Sequence, residues 1–419
     1  MSSLQPVRGT RDLPPDESRR HRHIETVALN AASRFGFEEI STPIFEFSEV
    51  FKRTLGDTSD IVTKEMYSFT DKGGDEVTLR PEGTAGVARM LISSGQIQNL
   101  PLKYFYRGPM FRYERPQKGR FRQFHQIGVE LLGVAEPLAD IETIALGAQI
   151  LGELGILGDT TLELNTLGNT ESRAAYRARL VAYFDDHADS LSDDSRARLV
   201  RNPLRILDSK DAGDRKIIAG APSFADSLDA ESAEFFAAVR AGLDALGIAY
   251  ALNTRLVRGL DYYCHTAFEF VTQSLGAQGT VLAGGRYDGL VAMMGGPQVP
   301  GIGWAAGIER LAMLAAGVPD APRPIAVIPV NKEVEGEAMR LAHKLRGAGL
   351  VVELAFRGNL SRRMKRANRL NARAAVIIGP DELANGAATL RDLDSGDQQE
   401  VSLDALIERL APYRHTKDR

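Results

Sequence analysis

Hydrophobic positions along the first third of the chain change their spacing several times, and each change marks an element. Between residues 16 and 34, Ile24, Val27, Ala28 and Ala31 recur at three- and four-residue intervals, which predicts a helix with one apolar face. Apolar runs at 66–69 and 77–80 flank the turn-forming cluster Asp71, Lys72, Gly73, Gly74 and Asp75, the pattern of a hairpin. A longer hairpin is predicted from 103–111 and 122–132, with the polar segment 114–120 as its loop, and consecutive hairpins imply antiparallel sheet. In its second strand alternate side chains share a face, so Phe124, Gln126, Gly128 and Glu130 point one way. Gln126 and Glu130 are thus expected to stand over a glycine floor with room for a ligand, with Arg112 at the end of the partner strand. A solvated sheet face would read the same way.

From about 171 to 246 the pattern turns polar and alanine-rich, with serine- and aspartate-rich breaks at 190–195 and 223–232, and predicts a small helical insertion. Strand-like sequence returns at 267–272 and 279–282, followed by glycine-rich turns and an apolar helix at 308–316. Pro319, Pro322 and Pro324 fall within residues 317–324, a density that breaks both helix and ladder and marks a linker. Beyond it, apolar runs at 325–330, 350–356 and 374–378 alternate with helical patterns, the first with Ala338, Leu341, Ala342 and Leu345 as its buried stripe, and residues 394–397 supply a closing turn. The expected architecture is an α+β first domain over residues 1–320, with an antiparallel sheet flanked by helices, and an α/β domain with partly parallel strands over residues 325–419.

Composition narrows the class. A hydrophobic share of 43% and a charged share of 25% exclude a disordered or fibrous chain. No run of about 18 apolar residues and no secretion-signal pattern occur, so a cytoplasmic protein without membrane contact is expected. The single cysteine, Cys264, cannot form an internal disulfide, and no Cys/His spacing points to a structural zinc site. A net charge of -4 gives no global attraction to nucleic acid, so such a partner would need local basic patches. Two qualify: the loop carrying Arg115, Gln117, Lys118 and Arg120, and the run Arg357, Arg362, Arg363, Lys365, Arg366, Arg369 and Arg373.

Candidate chemistry gathers in short segments. Residues 78–84 run from a strand into a helix, with Thr84 placed to cap it and Glu82 as a first-turn acid. Residues 256–263 set Arg258 beside Gly259 and end in the pair Tyr262 and Tyr263, which could equally be core. Gly301-Ile302-Gly303-Trp304-Ala305-Ala306 resembles a dinucleotide fingerprint only superficially, because Pro297 and Pro300 precede it where a strand is required. A P-loop pattern is also missing from the sequence. Cys264 and His265, adjacent and without further ligands, read as structural.

Taken in order, these segments resemble the motifs of the histidyl-tRNA synthetase family of class II aminoacyl-tRNA synthetases. Residues 37–55, with Pro43, are similar to the class's first motif, 105–133 to the second and 301–311 to the third. The stretches LVRGLDYY, from Leu256, and GGRYDGLV, from Gly284, resemble two segments peculiar to this family. The likeness runs from Val7-Arg8-Gly9-Thr10-Arg11-Asp12 to the last helix.

The resemblance implies a class II catalytic domain and a C-terminal anticodon-binding domain. It also implies activation of L-histidine by ATP, with Mg²⁺ as a helper but without a dedicated metal site on the protein, followed by transfer to histidine tRNA. Glu82, Gly83, Thr84 and Gln126 would form the socket for the ammonium group, Glu130 and Tyr263 would reach the imidazole, and Tyr262 would line the same pocket. Arg112 and Arg258 would be catalytic, flanking the α-phosphate, and Arg310 would meet the γ-phosphate. Arg115, Gln117, Lys118 and Arg120 would meet the acceptor end of the tRNA, and the first motif implies a homodimer. A rival reading on the same fold is the synthetase-like regulatory subunit of ATP phosphoribosyltransferase, which lacks the catalytic arginines and the anticodon domain.

Overall fold

The computed structural model describes residues 4–55, 61–117, 119–201, 203–207, 209–256, 262–276 and 279–414. They form two compact units, Met1–Pro319 and Asp320–Arg419. In the first, the strands in chain order are β1 (Glu38–Ile40), β2 (Phe45–Phe47), β3 (Tyr67–Thr70), β4 (Glu76–Leu79), β5 (Leu102–Phe111), β6 (Gln123–Leu132), β7 (Thr161–Thr166), β8 (Tyr250–Leu252), β9 (Cys264–Val271), β10 (Thr280–Arg286) and β11 (Gly301–Gly307). Both predicted hairpins form, β3 with β4 and β5 with β6, and β2 joins the former in a small antiparallel sheet.

The main sheet has the order β1-β5-β6-β11-β10-β9-β7-β8. Its inner strands are antiparallel, but β1 lies parallel to β5 and β8 parallel to β7, so the expected antiparallel sheet is the centre of a mixed one. Parallel neighbours need a long crossover, and for β7 and β8 the helices of the insertion supply it. Of the glycine-rich sequence after residue 282, Gly289, Gly295 and Gly296 stand in turns as expected, but Gly284, Gly285 and residues 301–307 enter the sheet as parts of β10 and β11.

Alternation along β6 separates two cores. Ile127, Val129 and Leu131 face the helices Pro15–Arg34 and Pro137–Glu153, which add Ile24, Ala28, Ile144 and Leu151. The other core is rich in tyrosine, with Tyr104, Tyr106, Tyr262, Tyr263 and Tyr287, and the insertion contributes Tyr176, Leu180 and Phe184 to it. The last insertion helix, Ala230–Ala245, sends Val239 and Leu243 into the first core. The insertion therefore shares the cores of its host instead of standing apart.

The second unit has its own sheet of β12 (Ile325–Pro329), β13 (Val352–Leu354), β14 (Ala374–Ile378), β15 (Ala387–Asp392) and β16 (Gln398–Ser402), in the order β13-β12-β14-β15-β16. The first three strands are parallel and the last two antiparallel, joined by the predicted turn. Ala338, Leu341, Ala342 and Leu345 form the buried stripe of the helix Glu335–Gly347, as their spacing predicted.

Candidate active site

A cavity of about 220 Å³ is lined by Glu82, Thr84, Arg112, Arg120, Gln126, Tyr262, Tyr263 and Arg310, together with residues of β10 and β11. Two walls of opposite character meet in it. One is acidic and hydroxylic, the other cationic.

The acidic wall grows from the end of β4 into the helix Thr84–Ser93. Thr84 was expected to cap that helix, but Gly83 holds the N-cap position and Glu82, one residue earlier, serves the first turn: its carboxylate accepts the N–H groups of Thr84 at 2.6 Å and Ala85 at 2.9 Å. Burial nevertheless raises the Glu82 pKa, because the carboxylate has been taken out of water. Thr84 instead donates its hydroxyl to Glu130 at 2.7 Å. Glu130 is fully buried and receives the Tyr287 hydroxyl on its other oxygen. Burial pushes its pKa up to about 8; both hydroxyls oppose the shift and nearby Glu82 adds to it.

The floor differs from expectation. A side-chain carbon at Gly128 or Gly83 would collide with the ring of Tyr106, so these glycines make room for a tyrosine rather than for a ligand. Gly303, opposite Glu130 in the ladder, likewise leaves space for the Glu130 carboxylate. Glu130 consequently lies behind Thr84 instead of on the cavity wall, while Gln126 lies on it. Tyr262 and Tyr263 close the side of the cavity as a tilted pair with ring centres 4.5 Å apart.

On the cationic wall Arg112 leaves the end of β5, donates to the Pro81 carbonyl at 2.8 Å and sits over the Phe124 ring. Arg310, in the first turn of the helix Ile308–Leu314, donates to the Thr280 carbonyl at 2.7 Å. Its pKa is lowered by burial and then by the neighbouring charges of Arg120 and Arg112. Guanidinium groups crowded in this way repel one another and suit a polyanion. Arg120, expected at the tRNA, turns into the cavity and pairs with Glu114, whereas Arg115 and Gln117 are exposed. Arg258 and Lys118 lie outside the described residues.

Other singled-out residues are structural. Arg286 is fully buried, bonded to Asp140 and to the Val134 carbonyl. The Cys264 thiol has its pKa pushed up to about 12 by burial, which leaves no reactive thiolate at neutral pH. In the second basic patch, Arg363 is buried and donates to Glu335 and the Pro329 carbonyl, so it offers nothing to a phosphate. Arg362, Arg366 and Arg369 on the same helix are exposed. The role of Tyr287 escaped the sequence reading, although its motif was singled out; Tyr106 was also missed, and strand alternation beside Tyr104 was the available signal.

Sheet and cavity place the first unit among the class II aminoacyl-tRNA synthetases. Residues 9–311 match the family model of histidyl-tRNA synthetase and residues 324–412 that of an anticodon-binding domain, and the chain belongs to the histidyl-tRNA synthetase family. A histidine–tRNA ligase of Rhodospirillum rubrum is 64% identical over 414 residues, 99% of this chain and 100% of that protein. The solved apo histidyl-tRNA synthetase of S. aureus matches with a TM-score of 0.81 at 34% identity, over 97% of this chain and 99% of the other. A Bacillus halodurans structure described as an ATP phosphoribosyltransferase regulatory subunit/histidyl-tRNA synthetase matches with a TM-score of 0.65 over 90% of this chain and 99% of its own, and at 22% identity shows the fold alone. Among the described residues, no helix is long and apolar enough to cross a membrane.

Proposed function

We propose that this chain is a histidine–tRNA ligase that performs both of its steps in the one cavity. The observation that carries the reading is the meeting of an acid-and-tyrosine wall with a wall of three arginines. The ammonium group of L-histidine is held by Glu82, Thr84 and Gln126, and Tyr262 and Tyr263 bound the imidazole. Glu130 is the acid for the ring, engaged when the Thr84 or Tyr287 hydroxyl turns away from it. Pockets built on such polar bonds reject analogues that leave them unpaired.

ATP enters as its magnesium complex. The cavity carboxylates Glu82 and Glu114 are already engaged, the first by the helix N–H groups and the second by Arg120, which favours an ion carried on the phosphates. A histidine carboxylate oxygen attacks the α-phosphorus, the bond to pyrophosphate breaks, and histidyl-adenylate forms. Arg112 and Arg258 neutralise the charge that develops, and Arg310 with Arg120 holds the outer phosphates. The terminal adenosine hydroxyl of histidine tRNA then attacks the acyl carbonyl and AMP leaves, its phosphate oxygen taking the proton. Arg115, Gln117 and Lys118 meet the acceptor stem, the second unit meets the anticodon, and the protein works in the cytoplasm.

The test is exchange of labelled pyrophosphate into ATP. Exchange is expected with histidine present and absent without it, and Arg258→Ala is expected to lower the rate by about two to three orders of magnitude, the scale of one lost transition-state donor. No exchange with histidine and Mg²⁺ would hand the chain to the regulatory-subunit reading.

A further inference from the structure

Beside the cavity, at Glu309 of its lining, three groups from separate segments converge. His21 lies on the helix Pro15–Arg34, His125 on β6 and Glu309 at the start of the helix Ile308–Leu314. One ligand atom from each lies within 4.8 Å of the other two. The Glu309 carboxylate accepts the His125 backbone N–H at 3.0 Å and lies 2.9 Å from its Nδ1, and the two imidazoles meet edge to face at 5.3 Å. His21 is only 5% exposed, and its Nε2 has no hydrogen-bond partner among the described residues. A buried polar atom left in this way is costly, and an ion is one of the few things that would satisfy it.

We propose that His21, His125 and Glu309 bind a divalent transition-metal ion of the zinc type. Two imidazoles and a carboxylate suit a borderline ion, whereas magnesium or calcium would call for a set of oxygens. Donors about 2.0–2.2 Å from such an ion stand about 3.5 Å apart, so side-chain shifts of about an ångström close the site. The His125 amide keeps its hold on Glu309 and orients the carboxylate from outside. A bound ion would tie the first helix, the strand bearing Gln126 and the helix bearing Arg310 at one point.

The experiment uses the full chain, stripped of metal and then dialysed against zinc or cobalt. About one zinc per chain, a rise in melting temperature and the visible bands of four-coordinate cobalt are expected. His21→Gln is expected to lose all three while keeping the melting temperature of the metal-free protein. His125→Gln, which changes a different element, is expected to lose the metal as well. Wild-type protein without stoichiometric zinc, or either variant that keeps it, would overturn the site.

Discussion

Glu130 has a hydroxyl on each carboxylate oxygen, yet burial holds its pKa at about 8 against an ordinary 4.5. The folded protein therefore keeps a proton that the unfolded chain releases. The stabilisation is complete below about pH 4.5 and is lost as the pH rises through about 8. Glu130→Gln has no such dependence, so its melting temperature is expected to gain on the wild type steadily between about pH 5 and pH 8 and to level off above. A constant difference in thermal melts across that range would show that Glu130 is not the titrating group. At this scale the strand-to-helix junction at Glu82-Gly83-Thr84 was legible, but which of its side chains serves the first turn was not. The place of Glu130 behind Thr84 was not, since it depends on Gly303, far away in the chain, leaving room for its carboxylate.

Elements with a strong period could be read directly: the first helix, the two hairpins and the stripe of Glu335–Gly347. The end of β10 and all of β11 were lost because glycines leave gaps in the hydropathy pattern, although those gaps are what the neighbouring side chains fill. The helices of the insertion were legible as helices, but the device that joins them was not. Asp214 is fully buried and accepts the Ser192 amide at 2.8 Å and the hydroxyls of Ser192, Ser195 and Ser209. Burial works against its charge, yet these donors bring its pKa down to about 2 from an ordinary 3.8. This stability is present above the unfolded value and disappears as the pH falls through about 2. Asp214→Asn is expected to cost about 2 kcal/mol at neutral pH, nearly nothing at the acid end, and to speed proteolysis of the insertion while the sheet stays protected.

For the molecule as a whole, the small sheet of β2, β4 and β3 raises the question of a second copy. Phe45, Phe47 and Phe69 are 57%, 60% and 49% exposed, and the ladder sets Phe47, Val77 and Phe69 in one row. Aromatic rings grouped in this way mark a surface that is covered in use. A homodimer joined through this region is the expected state: light scattering should give twice the chain mass, and Phe45→Ser with Phe47→Ser should give one. A monomeric wild type would leave those rings without their explanation. The two units divide after Pro319, inside the proline-rich stretch 317–324, where local backbone chemistry leaves a mark in the sequence. Their sheet orders depend on long-range pairing, which no local pattern records.

The carboxylate of Glu82 closes the first turn of the helix Thr84–Ser93, and in the proposed reaction it also receives the substrate's amino group. Occupancy at one end of the cavity is then written into the backbone as well as into the chemistry. Deuterium uptake at the amides of Thr84 and Ala85 should slow when histidine alone is added, before any nucleotide arrives, so the turn would serve as a built-in gauge of loading.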